Sequence, residues 1–106
     1  SAVFVTSIVN RPFVPAGKSV KAVAGVTISA AQTGGNVSGD WYFKGSLVQT
    51  GGSGTTNAAG YTEIVSPPEK ASAGDVFRFV VTNVTLTGYV YDPGQNVVSE
   101  IYITYP

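Results

Sequence analysis

The chain has 106 residues, with six basic and six acidic side chains, 43% hydrophobic residues and no Cys, His or Met. That is one domain of common size, able to bury roughly two-thirds of its unfolded surface without a disulfide. Zero net charge without a basic stripe makes nucleic acid a poor partner, and no apolar run approaches the roughly 18 residues of a membrane helix.

Val is the commonest residue and Leu occurs only at Leu47 and Leu86, a profile that favours pleated backbone over helix. A first strand is expected at Val3 to Val9, with Val3, Val5 and Val9 on one side. Asn10 to Gly17 carries Pro12 and Pro15 and reads as a break. Ser19 to Ala31 alternates clearly, with Val20, Ala22, Ala24, Val26 and Ile28 facing a core. Its small alanines call for something bulky opposite. A Gly-Gly turn spans Gln32 to Asn36, and Val37 to Lys44 then places Val37, Gly39, Trp41 and Phe43 on one face. Trp41 is the natural partner of the alanines.

Lys44-Gly45 and Gly51-Gly52 delimit a short strand at Ser46 to Gln49. Two more short strands, Ser53 to Thr56 and Tyr61 to Ser66, flank a turn at Asn57 to Gly60, and Pro67-Pro68 ends the second. Asp75 to Val84 puts Phe77, Phe79 and Val81 against the core. In Ser99 to Tyr105, Ile101, Ile103 and Tyr105 oppose Glu100, Tyr102 and Thr104. The fold expected is all-β, a two-sheet immunoglobulin-like sandwich of seven or eight antiparallel strands over residues 1–106, with a closed barrel as the alternative.

The order of these pieces carries a resemblance: a long alternating second strand, then GDW, a Gly-Thr-Thr-Asn-Ala-Ala-Gly-Tyr turn, Ile64-Val65-Ser66-Pro67, and the block FRFVVTNVTLTGYVYDPGQN. Together they resemble the bacterial immunoglobulin-like or fibronectin-type-III-like domains appended to secreted hydrolases such as subtilisin-like proteases. The resemblance implies an accessory domain beside a catalytic one, which spaces, stabilises or binds. Tyr42-Phe43-Lys44 departs from the looser polar loop usual after the Trp. An extracellular chain without Cys also fits a prokaryotic exoprotein better than a disulfide-dense animal module. Ser1 opens directly into strand-like sequence, so a module excised from a longer protein is expected, monomeric and in contact with neighbouring domains.

Without His or Cys the common nucleophile–base pairs and most zinc sites cannot be built. A glycosidase-type carboxylate pair would have to come from Asp40, Glu63, Glu69, Asp75, Asp92 and Glu100, all at turn, edge or outward positions. The domain itself therefore reads as non-catalytic. A lysine–asparagine isopeptide could be imagined from Lys18 or Lys21, Asn83 or Asn96, and Asp75 or Glu100. No cofactor is expected apart from calcium, for which Asp92, Gln95 and Asn96 share a turn that Asp75 could join, although Asp-Pro-Gly is also an ordinary turn sequence. Asn36-Val37-Ser38 and Asn83-Val84-Thr85 match glycosylation acceptors.

The aromatic residues give the last signal. Tyr42 and Tyr102 should point outward with Arg78 and Val80, and Tyr rings beside Arg can stack on sugars or pack on a protein. Two roles follow: a spacer beside a secreted hydrolase, or a binding module for polysaccharide or extracellular protein. A contiguous Tyr42, Arg78 and Tyr102 patch would favour binding, and a mixed polar face a spacer.

Overall fold

The computed structural model describes residues 1–106 and is all-β. Its strands are β1 (Ala2–Val3), β2 (Val5–Ala16), β3 (Ser19–Ile28), β4 (Asn36–Phe43), β5 (Ser46–Thr55), β6 (Tyr61–Val65), β7 (Val76–Thr85), β8 (Val90–Tyr91) and β9 (Glu100–Thr104). One antiparallel sheet has the order β2-β3-β6 and another the order β5-β4-β7-β9, while β1 and β8 form a parallel pair. A closed barrel would need ladders from β5 to β6 and from β9 to β2, and neither pair is hydrogen-bonded.

The alternation read from β3, β4 and β7 sets the core. Ala22, Ala24, Val26 and Ile28 are buried in one continuous cluster with Val37, Trp41, Phe77, Phe79, Val81, Ile64 and Ile103. Trp41 and Phe79 are fully enclosed, their ring centroids 4.8 Å apart. The outward face of β3 is covered as well. A Cβ on Gly25 would meet ring carbons of Tyr61 at 3.0 Å, so glycine here lets an aromatic ring lie flat on the strand. The Tyr61 hydroxyl donates to Glu63 at 2.7 Å, and Arg11 Nε reaches the same carboxylate at 3.2 Å. Burial, and then that hydrogen bond, hold the Tyr61 hydroxyl above its ordinary pKa.

Three boundaries depart from the alternation pattern. The segment from Asn10 to Gly17 is not a break, because β2 continues through it to Ala16. β2 lies at a sheet edge and shifts register between Arg11 and Val14, so Pro12 falls in the irregularity, where no ladder donor is missed. The continuation brings Phe13 to Phe77 and Tyr105, with centroids at 5.7 and 5.1 Å. Val9 does not join Val3 and Val5 inside. The register slips between Val5 and Ser7, one extra residue reverses the phase, and Ile8 packs on the core while Val9 is exposed. Lastly, Ser46 to Gln49 and Ser53 to Thr56 form one strand, β5, which passes through Gly51-Gly52 with Gly51 at φ 70°. The Lys44-Gly45 link has both residues at positive φ, 52° and 83°, the signature of a type I′ hairpin turn.

Candidate functional site

Register places the outward residues of the four-stranded sheet in rows. Leu47 on β5 lies opposite Tyr42 on β4, Tyr42 opposite Arg78 on β7, and Arg78 opposite Tyr102 on β9. Four side chains thus form a strip across the whole sheet, about 14 Å long at ordinary strand spacing. The guanidinium carbon of Arg78 lies 4.9 Å from the Tyr42 ring centroid and 5.6 Å from that of Tyr102. Both are cation–π distances. Arg78 Nε also pairs with Glu100 Oε1 at 2.5 Å, and this hydrogen bond holds the guanidinium pKa above its ordinary value. The strip stays open, with Leu47 51% and Tyr102 62% exposed.

Tyr42, Arg78 and Tyr102 are therefore brought together as expected from their phase. Leu47 and Glu100 are additions. Leu47 was hidden because β5 read as a short strand of unknown register, and Glu100 because its pairing with Arg78 is diagonal across the β7–β9 ladder. The next row, Asp40, Val80 and Glu100, supplies carboxylates beside the strip.

Asp75 is not gathered with the other calcium candidates, Asp92, Gln95 and Asn96, which share one turn. Asp75 caps the turn before β7, accepting from the Ser72 N–H at 2.9 Å, and is tied by backbone bonds to Tyr105. Asn96 is tied to Ser99, so β9 separates the two. Asp92 caps a 3-10 turn at Pro93–Gln95, with Oδ1 accepting from the Gly94 N–H and Oδ2 from Gln95 Nε2. Asn96 Oδ1 accepts from the Val5 N–H at 2.7 Å, and its Nδ2 donates to the Tyr91 hydroxyl at 2.8 Å. These are the contacts of a turn that fastens the β8–β9 connection to β2. Asn96→Ala is expected to cost about 1–3 kcal/mol, since the N–H of the buried Val5 loses its acceptor. A chelator should leave the melting temperature unchanged, and thermal melts check both outcomes.

The other carboxylates are dispersed, and no three of them cluster. Glu63 pairs with Arg11 and Tyr61, and Asp40 accepts from the Gly51 N–H. Of the isopeptide candidates, Lys21 lies on the three-stranded sheet, opposite Val14, and Asn83 on the four-stranded one, opposite Ser38. Comparison with protein-family models, curated proteins and solved structures finds no match.

Proposed function

We propose that the chain is a non-catalytic binding module of an extracellular multidomain protein, and that the outer face of its four-stranded sheet is the contact surface. The observation that carries this is the Leu47–Tyr42–Arg78–Tyr102 strip. Aromatic residues with an intervening guanidinium are the side chains that give most contact energy at protein surfaces. Arg78 is neutralised by Glu100, so the strip suits a flat neutral surface, a polysaccharide or an extracellular protein, better than an anion. The fold proposed is a fibronectin-type-III-like, two-sheet immunoglobulin-type sandwich. With the two-residue strands set aside, the orders β2-β3-β6 and β5-β4-β7-β9 support it: they match the Greek-key arrangement with the fourth strand moved to the second sheet.

The spacer role beside a hydrolase domain is the second reading. Ser1 bonds to Val90 and Tyr105 to Gly74, so the chain enters and leaves at opposite ends of β7, in a body 43 Å long. Retention on insoluble polysaccharides and fibrous proteins separates the two. The wild-type domain should be retained, and Tyr42→Ala with Tyr102→Ala should weaken retention at least tenfold while leaving the melting temperature nearly unchanged. If the wild type is retained on nothing, the spacer reading stands. Retention undiminished by the double substitution moves the site elsewhere.

A further inference from the structure

A recess lies further along β7, away from the aromatic strip. β9 accompanies β7 only as far as Val81, whose N–H donates to the Ser99 carbonyl. Beyond that point β8 would be the natural neighbour, since a turn closed by the Tyr89 N–H on the Leu86 carbonyl leads straight back from β7. Yet β8 pairs with β1: Val90 N–H donates to the Ser1 carbonyl and Asp92 N–H to that of Val3. The two arms of the hairpin splay, and a cleft of about 560 Å³ opens between them. That volume is within the range of small-molecule sites, roughly 300–1,000 Å³.

The lining is chemically specific. One wall carries Asn83, Thr85 and Thr87, all exposed, and the other Tyr89, Val90 and Tyr91. No charged residue lines the cleft. The Tyr89 hydroxyl accepts from Gln32 Nε2 at 3.2 Å and the Tyr91 hydroxyl from Asn96 Nδ2 at 2.8 Å. Those bonds fix both rings while leaving each O–H free to donate. The first wall continues onto β4, where Ser38 lies opposite Asn83 and Asn36 opposite Thr85. The result is a field of neutral donors and acceptors along one wall and, along the other, two anchored tyrosines that also pack on the core.

We propose that this cleft binds a neutral sugar unit of a glycan, independently of the Tyr42–Arg78–Tyr102 strip. A sugar ring offers apolar C–H faces to Tyr rings and hydroxyls to amide and hydroxyl side chains, which is the division of labour between the two walls. An anionic ligand would meet no cation here, and a carboxylate desolvated without one is costly. A lipid or other purely apolar ligand would strand Asn83, Thr85 and Thr87 without partners.

The test is an amide-resonance titration of the folded domain with cellopentaose, laminaripentaose, maltopentaose, chitopentaose and the charged pentagalacturonate in turn. At least one neutral oligosaccharide should shift the amides of residues 83–91, and pentagalacturonate should not. Asn83→Ala and Thr85→Ala, both at exposed positions, should each weaken that binding roughly five- to tenfold at an unchanged melting temperature. Tyr42→Ala with Tyr102→Ala should leave it intact, so this proposal and the strip reading can fail separately. The proposal is overturned if no neutral oligosaccharide shifts these amides, if the charged one binds equally well, or if neither cleft substitution weakens binding. An extended Thr/Val-rich peptide that shifts them where sugars do not would give the cleft to a polypeptide strand instead.

Discussion

Trp41→Ala should lower the unfolding free energy by about 3–5 kcal/mol, a large part of the roughly 5–15 kcal/mol that holds a domain together. Trp41 has no solvent exposure and sits with Phe79 in the cluster that unites the two main sheets. Trp41 shares that cluster with Ala22 and Ala24 of β3, whose short side chains would leave most of the vacancy unfilled. The ring is not ideally satisfied, however. Its Nε1 is buried without a hydrogen-bond partner, and so is Oε1 of Gln49, the residue opposite it on β5. A buried unpaired donor is itself destabilising, so Trp41→Phe should cost clearly less than Trp41→Ala, because it keeps most of the ring and removes the orphan N–H. Denaturant titrations give both values. Native indole emission should be short-wavelength and shielded from an aqueous quencher. Emission typical of a hydrated indole would contradict the packing.

The inward faces of β3, of β4 and of β7 as far as Val81 were legible because the period-two alternation of the sequence runs unbroken over those stretches. It failed at two irregularities, one in β2 and one in β5. Val9 went to the wrong face because of the slip between Val5 and Ser7, and β5 was cut in two at Gly51 although its ladder continues beyond the irregularity. Proline in β2 misled for a different reason. Pro12 and Pro15 do lack ladder donors, but an edge strand with a bulge tolerates them, and edge position cannot be read from local sequence. The same limit governs the site. Phase alone pointed Tyr42, Arg78 and Tyr102 outward, and their adjacency rests on β4, β7 and β9 sharing a sheet. Leu47 and the Glu100 ion pair required registers that no single strand encodes. The β7–β8 cleft was further out of reach, since it exists only because β8 pairs with β1.

Gly39→Ala should be among the most damaging single-methyl changes in the chain, at about 3 kcal/mol, the upper part of the usual overpacking range. Gly39 is not there for its backbone freedom, since its φ is not positive. It is there for proximity. On β4 it occupies an inward position between Val37 and Trp41, and β7 shifts register immediately beside it, Ser38 facing Asn83 and Gly39 facing Val81. That irregularity draws β7 close: a Cβ on Gly39 would collide with the Val80 carbonyl oxygen and come within 2.5 Å of a ring carbon of Phe79. Neither obstacle yields cheaply. The carbonyl belongs to the ladder backbone, and the fully buried Phe79 ring is packed on Trp41. The collision predicts its own partial remedy. In a double-mutant cycle, Phe79→Leu should cost less in the Gly39→Ala background than in wild type, because the smaller side chain releases the part of the clash due to the ring. The carbonyl contact would remain, so the rescue should be incomplete. Stabilities that simply add, to within about 0.5 kcal/mol, would show that the ring is not what excludes a methyl group at this position.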